Sequence, residues 1–442
     1  MPESKLSPED QANQINLNLA TDMSESKLLS HADNIDEKER FIDITEKEGD
    51  FVKSLLRWFD QEARDLPWRA LPEDLTLRRD PYVVVLSELM LQQTQVTTVI
   101  DYFNRFMMRF PTIVALADAD ETEVLKLWEG LGYYRRARHL HALAKEVTTR
   151  FNGVLPRDRE ELLKLPGVGS YTAGAIRSFA YNLPDAAVDG NVVRVSARID
   201  AKPYIKNDAR TAKTIRERVL ALLPYERSGD FNEALMDLGA MICTPKNPSC
   251  EICPVSLFCK ARLKGRVDDF PIRNKKIAKP VSSFSYVALW RDGRLFVRCR
   301  GEGLLEGLYE FLALPERFDK DEKQALHLAL EKMFLSNTRE DKMKEERKPK
   351  LHLSWRGKRR AVFSHRIWDM TFWDAEWIGD DSLDGILVQE EDCASSSHDG
   401  WHDGQWVTRD ELVTLPFSAF LSPWRDTLLD DRQSNIVAQR KV

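Results

Sequence analysis

ELLKLPGVGSYTAGAIRSFA, residues 161–180, decides the fold. Apolar residues at helical spacing run on both sides of Leu165-Pro166-Gly167-Val168-Gly169. Two glycines flanking one small apolar residue let the backbone turn tightly and bring its N–H groups close to a polyanion at the start of the following helix. The stretch is therefore expected to be a helix-hairpin-helix phosphate clamp with Gly167 and Gly169 at the contact. An ordinary helix-helix turn has the same outline, so the neighbouring sequence must decide.

Working outward, helical periodicity fills residues 49–270, as in Phe51-Leu55-Phe59, Val124-Leu127-Leu131 and Val219-Leu222, with breaks at Pro67, Pro111, Pro156, Pro184 and Pro224. This region reads as an all-α domain, with folding beginning near Phe51. The basic, proline-bracketed stretch at 271–282 suits an extended connector. Beyond it the period changes. SFSYVALW (283–290), the turn pair Asp292-Gly293 and RLFVRCR (294–300) predict a β-hairpin. KLHLSW (350–355) and RRAVFSHRIWDMTFWDAEW (359–377) predict further strands, with one helix around 321–336. Residues 283–442 are thus expected to form an α+β domain, and the chain to be multidomain.

Charge neither proves nor excludes a nucleic-acid partner. The formal net charge is -6, but residues 1–50 hold 5 basic and 13 acidic side chains, leaving 60 basic and 58 acidic on the rest. Residues 1–48 are acidic and poor in aromatics, which cannot offset the entropy of ordering, so this tail is expected to be disordered. No run of about 18 apolar residues occurs, and the start lacks a basic n-region and an apolar h-region. A soluble, non-secreted protein without a membrane is expected.

Downstream of the hairpin lies Val188-Asp189-Gly190-Asn191-Val192-Val193-Arg194. An Asp before a helix is commonly an N-cap; beside a phosphate clamp, the same carboxylate would face the sugar of the gripped strand. Four of the six cysteines, Cys243-x6-Cys250-x2-Cys253-x5-Cys259, supply four soft thiolates from one compact loop. That closes a coordination shell around zinc or an iron-sulfur cluster, and the spacing alone allows either. A closed shell suits a structural or DNA-contacting role and not Lewis-acid catalysis. Cys299 and Cys393 lie outside it. Upstream, Glu88 sits among apolar residues in SELMLQQTQV (87–96), where an unpaired carboxylate is costly unless protonated or used. An acid held protonated near neutrality can donate to a leaving base while a second carboxyl supports an oxocarbenium-like sugar. Glu88 and Asp189 would make such a pair.

LPGVGSYTAGA (165–175) followed by VDGNVVRVSAR (188–198) resembles the helix-hairpin-helix glycosylase superfamily that includes endonuclease III and the adenine glycosylases of the MutY type. The cysteine spacing after FNEALMDLGAMICT (231–244) is similar to that superfamily's 4Fe-4S loop, which makes Cys243, Cys250, Cys253 and Cys259 the implied metal ligands. The resemblance implies a catalytic set of Glu88, Asp189, Tyr171 and Asn191. It places Arg64, Trp68, Leu91 and Glu233 around an extruded adenine, Gln92 and Gln93 in the base stack, and Tyr134 of GLGYYRRARHL (130–140) as a wedge. Tyr171 stands where lyase members carry lysine, and tyrosine cannot form an imine, so water becomes the expected nucleophile.

Phe363-Ser364-His365, in a predicted strand or at its end, resembles the motif with which adenine glycosylases read 8-oxoguanine. Phe could wedge while Ser and His offer hydrogen bonds to a purine edge. The surrounding domain resembles a Nudix fold, but EKQALHLALEKM (322–333) lacks that fold's acidic catalytic box. The acidic insertion at 390–400 reads as a surface loop. The implied function is a monofunctional adenine glycosylase of base excision repair that removes, as a monomer, adenine mispaired with 8-oxoguanine or guanine in double-stranded DNA. The compartment would be cytoplasmic in a bacterium, nuclear or mitochondrial in a eukaryote. A bifunctional glycosylase/lyase and a non-catalytic iron-sulfur scanning protein are the competing readings.

Overall fold

The structure, a computed structural model, describes residues 44–70, 77–205, 208–272, 278–336, 350–378 and 404–439. The chain divides into two compact units, Met1–Asp50 and Phe51–Val442. Of the first, only the opening of helix α1 (Ile44–Glu62) is described. The helix starts at Ile44, ahead of the expected onset near Phe51, and most of the tail expected to be disordered lies outside the described residues. The insertion at 390–400, with Cys393, lies outside them too. No described helix is long and apolar enough to cross a membrane.

Within the second unit the helical region is organised around α2 (Pro81–Leu91). Asp80 caps it by accepting from the Tyr82 N–H, and Pro81 occupies the first turn, where no N–H is needed. Every residue from Val84 to Met90 is buried, so α2 is a central helix packed on all sides. Around it run α3 (Val96–Arg109), α4 (Ile113–Ala117), α5 (Glu121–Leu127) and α6 (Arg135–Phe151). The predicted hairpin follows as α7 (Arg159–Lys164) and α8 (Ser170–Ala175), the latter continuing in a π-helical turn to Ala180. Then come α9 (Gly190–Asp200), α10 (Ala209–Leu222), α11 (Ser228–Asp237) and α12 (Lys260–Leu263).

Two glycines set the geometry that matters for the site. Gly167 has φ +75°, and a Cβ there would also lie 2.7 Å from the His139 Cβ. Gly174 allows α8 to pass so close to the incoming strand of chain that a Cβ would lie 2.2 Å from the Ala186 carbonyl oxygen. That contact delivers the segment ending at Asp189.

Among the described residues beyond 280, seven strands form one mixed sheet: β1 (Val281–Arg291), β2 (Arg294–Cys299), β3 (Tyr309–Glu310), β4 (Leu312–Leu314), β5 (Lys350–Val362), β6 (Ile367–Ile378) and β7 (Gly404–Val407). The predicted hairpin forms with Arg291 opposite Arg294, and Asp292 and Gly293 both at positive φ. β1 pairs in parallel with β6, from Val281↔Ile367 to Trp290↔Glu376. Alternate residues feed opposite faces. Tyr286, Ala288 and Trp290 join a core under α14 (Arg409–Thr414) and α15 (Ser422–Gln439), whereas Val287 and Leu289 pack toward α13 (Lys323–Ser336). The strand boundaries differ from expectation: β5 runs unbroken to Val362 through a bulge at Trp355/Gly357, and β6 begins only at Ile367. Phe363-Ser364-His365 is therefore the turn between two long strands, closed by the Phe363 N–H on the Arg366 carbonyl.

Candidate active site

A cavity of about 530 Å³ opens between α2, α8, the start of α9 and the segment Arg64–Arg69. Glu88, Tyr171, Asp189 and Asn191 all line it, as do Arg64, Trp68, Leu91, Gln92, Gln93 and Glu233. Residues far apart in sequence thus line one cavity.

Glu88 comes from the buried helix α2 and is 7% exposed. Burial pushes its pKa up to about 7, against the Tyr171 hydroxyl, which donates to Oε2 and favours the anion. The charges of Asp189 and Glu233 push further up, and Arg69 pulls down. Asp189 is the N-cap of α9: Oδ1 accepts from the backbone N–H of Asn191 at 2.9 Å and of Val192 at 2.7 Å, and Oδ2 from the Asn191 side chain at 2.7 Å. Burial raises its pKa while these three donors stabilise the anion. Asp189 therefore both caps a helix and lines the cavity. One carboxyl held near neutrality beside another fixed by helix-end donors is an arrangement able to split acid and anion roles.

Behind the cavity lies an arginine-carboxylate frame. Burial alone would raise Glu233, but Arg79, Arg78 and Arg69 bring it down to about 2. Arg79 grips both its oxygens at 2.5 and 2.7 Å, and Arg69 Nε lies 3.0 Å from Oε1. Asp237, one turn on, is held by Arg69 at 2.7 and 2.9 Å and by Arg64 Nε at 2.8 Å. Arg64 and Glu233 therefore reach the cavity already paired. Trp68 is 5% exposed and packs edge-on against Phe103, so it is a wall more than a contact. Arg69, Arg79 and Asp237 escaped the sequence reading, because nothing in sequence separates a buried arginine from a solvated one.

At the mouth, Gln92 is half-buried and Gln93 exposed, the latter at φ +59°. The expected wedge is corrected. Tyr134 is 4% exposed, its hydroxyl donating to the Phe417 carbonyl at 3.0 Å and accepting from the Gly130 N–H at 3.1 Å. Pinned in this way against the sheet region, it cannot enter a duplex. Tyr133 is the exposed tyrosine, and its hydroxyl lies 3.3 Å from Ser364 Oγ. Phe363 is likewise not a free wedge. Its ring packs edge-on against Trp368 and Phe420, with centroids 4.8 and 6.0 Å away, leaving Ser364 and His365 exposed.

Short backbone bonds wind the cysteine loop: Cys253 N–H to the Cys250 carbonyl, Ser256 to Cys253, Cys259 to Ser256. The four thiols are free of disulfides and half-buried. Burial pushes Cys253 up to about 12, and Cys243, Cys259 and Cys250 are near enough to add to it. The Arg198 guanidinium donates to Cys243 Sγ at 3.3 Å, supplying positive charge to a sulfur-rich centre. Four neighbouring cysteines whose thiolate forms would repel one another, beside an arginine, fit a bound metal cluster. Among the described residues no three His, Cys, Asp or Glu side chains gather as a single metal ion would require.

Residues 86–220 match the family described as HhH-GPD superfamily base excision DNA repair protein, and residues 243–259 the iron-sulfur binding domain of endonuclease III. Fold, hairpin and cysteine loop define a helix-hairpin-helix base-excision protein with an iron-sulfur cluster. Among relatives, the adenine DNA glycosylase of Rattus norvegicus is 46% identical over 226 residues, 50% of this chain and 44% of the relative. That of Homo sapiens is 47% identical over 224 residues, 50% of this chain and 41% of the relative. That of Buchnera aphidicola subsp. Baizongia pistaciae is 38% identical over 252 residues, 57% of this chain and 69% of the relative. The chain belongs to the adenine DNA glycosylase family. It spans less than half the length of the two mammalian relatives.

Proposed function

We propose that this chain is an adenine-specific DNA N-glycosylase, a monofunctional hydrolase that removes adenine opposite 8-oxoguanine or guanine in double-stranded DNA. The observation that carries the reading is Glu88: a carboxyl raised to about 7, hydrogen-bonded by Tyr171, in the same cavity as Asp189. An adenine extruded into that cavity accepts the Glu88 proton, which makes it a neutral leaving group as the bond from its N9 to the sugar C1′ breaks. The anionic Asp189 stabilises the cationic sugar. Water then adds its oxygen to C1′ and gives up a proton to the Glu88 carboxylate, which regenerates the acid and leaves an abasic site. Tyr171 offers no amine, so no Schiff base forms and the strand stays intact.

Around this centre, the N–H groups at Gly167–Gly169 would hold a phosphate of the target strand. Gln92, Gln93 and Tyr133 would fill the stack, and Ser364 and His365 would read the opposing purine. The sheet region, with helices on both faces, would be a Nudix-like recognition domain without hydrolase chemistry. Cys243, Cys250, Cys253 and Cys259 would hold a 4Fe-4S cluster, a closed shell that braces the DNA-facing loop. The enzyme would act as a monomer in whichever compartment holds its DNA.

Incubation with a duplex containing one 8-oxoguanine:adenine pair, with and without alkali, tests this. Breakage of the adenine strand only after alkali supports it. Breakage without alkali, with a borohydride-trapped adduct, would mean a glycosylase/lyase, and tight binding with no abasic site would mean a scanning protein.

A further inference from the structure

The Gln92–Gln93 turn, which lines the cavity, is joined to the Gly132–Tyr133 turn by one buried side chain. Helix α2 ends at Leu91, and the last carbonyls of a helix have no partner within it. Arg136, on α6 and 6% exposed, supplies that partner. Its Nη1 donates to the carbonyls of Leu89 at 2.8 Å, Met90 at 2.8 Å and Gln92 at 2.6 Å. Its Nη2 donates to Thr94 Oγ1 at 3.2 Å and, across the gap, to the Gly132 carbonyl at 2.9 Å, while Nε reaches the Tyr133 carbonyl at 3.4 Å. All these acceptors are neutral, so the cation is held by a cage of dipoles, including the negative end of α2. Each loop also contains a non-glycine residue in the left-handed region, Gln93 at φ +59° and Tyr133 at φ +50°. Such conformations persist only where the surroundings over-determine them, and Arg136 bonds the residue before Gln93 and both Gly132 and Tyr133.

We infer that Arg136 is a positioning residue that locks the Gln92–Gln93 turn to the Gly132–Tyr133 turn, so that both enter the duplex as one rigid unit when a base is extruded. It touches no reacting atom. The inference rests on the proposed base-excising activity and adds to it the part that fixes how the stack is opened. Lysine cannot replace it, because one ammonium cannot span two turns as a planar guanidinium fork does.

The test uses the full chain, Arg136→Lys and Arg136→Gln, with thermal melts establishing that each variant is folded. Single-turnover excision is measured on two duplexes: one with the target adenine stacked opposite 8-oxoguanine, the other with the same adenine in a one-base bulge, where unstacking is largely prepaid. Expected is a loss of about tenfold or more on the stacked target and recovery to within about threefold of the unaltered protein on the bulge. Equal losses on both duplexes, or none, would overturn the positioning role. Extrusion without chemistry is read separately, as the fluorescence rise of 2-aminopurine at the target in the Glu88→Gln background. That rise should disappear when Arg136→Lys is added, and its persistence overturns the inference. If the unaltered protein releases no adenine from either duplex, the proposed activity fails, while the fluorescence arm still decides whether Arg136 couples the two turns.

Discussion

At the scale of single residues, the site is governed by what surrounds Glu88. In the proposed reaction its carboxyl must carry a proton, so excision should fall as pH rises through about 7, the value to which burial has raised it. Because Tyr171 donates to the anion and thereby lowers that value, Tyr171→Phe should move the alkaline limb of the pH profile to higher pH; a shift downward would refute the assignment of the acid. Glu88→Gln should reduce single-turnover excision by about 10²–10⁴-fold. The same residue affects stability. Since the folded protein holds this proton more tightly than the unfolded chain, the contribution is present at low pH and is lost as pH rises from the ordinary 4.5 through about 7. Glu88→Gln should therefore melt above the unaltered protein at pH 8 and approach it at pH 5. Much of this was legible in sequence, because a lone Glu in an apolar helical run has few physical explanations. Which tyrosine of Tyr133-Tyr134 is free was not. Adjacent residues point in different directions, and only the packing against Phe417 shows that Tyr134 is the anchored one.

At the scale of elements, the N-cap of α9, Asp189, carries both a structural role and the proposed catalytic one, and the two can be separated. Asn is as good an N-cap as Asp. Asp189→Asn should thus keep the thermal midpoint close to that of the unaltered protein while excision falls by about 10²-fold or more, since the negative charge is gone. A parallel fall in stability and activity would mean that the cap is the residue's main role. Helix α8 bears on the same point. Gly174→Ala forces a Cβ to within 2.2 Å of the Ala186 carbonyl oxygen, so the segment delivering Asp189 must shift. We expect a loss of about 1–3 kcal/mol in denaturant unfolding, together with slowed excision. The Gly-Val-Gly turn and the Asp-Gly hairpin were readable in advance because each requires φ values that few residues adopt. The length of β5 was not, since its bulge at Trp355/Gly357 hides the alternation that marks a strand.

For the whole molecule, the helical and sheet regions of the second unit are tied at one patch. Arg425 is 8% exposed at its side chain, 2.8 Å from the Glu129 carboxylate, and Lys126 donates to the Leu415 carbonyl at 3.0 Å. Arg138 pairs with Glu306, and Tyr134 completes the patch. These contacts hold the Ser364–His365 turn beside Tyr133. Removing one partner of a buried pair strands the other, so Arg425→Met should separate the unfolding of the two regions into distinct calorimetric transitions. A single unchanged transition would show that the patch contributes little.

Local rules carry their own constraints, and there the sequence by itself was sufficient: the turn at Gly167–Gly169 between two helices, the helix capped by Asp189, the β-hairpin and the compact four-cysteine loop all follow from spacing and backbone preference. Tertiary structure alone decided the rest. It brought Glu88, Tyr171 and Asp189 into one cavity, turned Arg64 and Glu233 into a paired frame, buried Tyr134 and placed Arg136 between two turns some forty residues apart. The reason is physical. Burial sets pKa values, partners and side-chain freedom, and burial is a property of how distant segments pack.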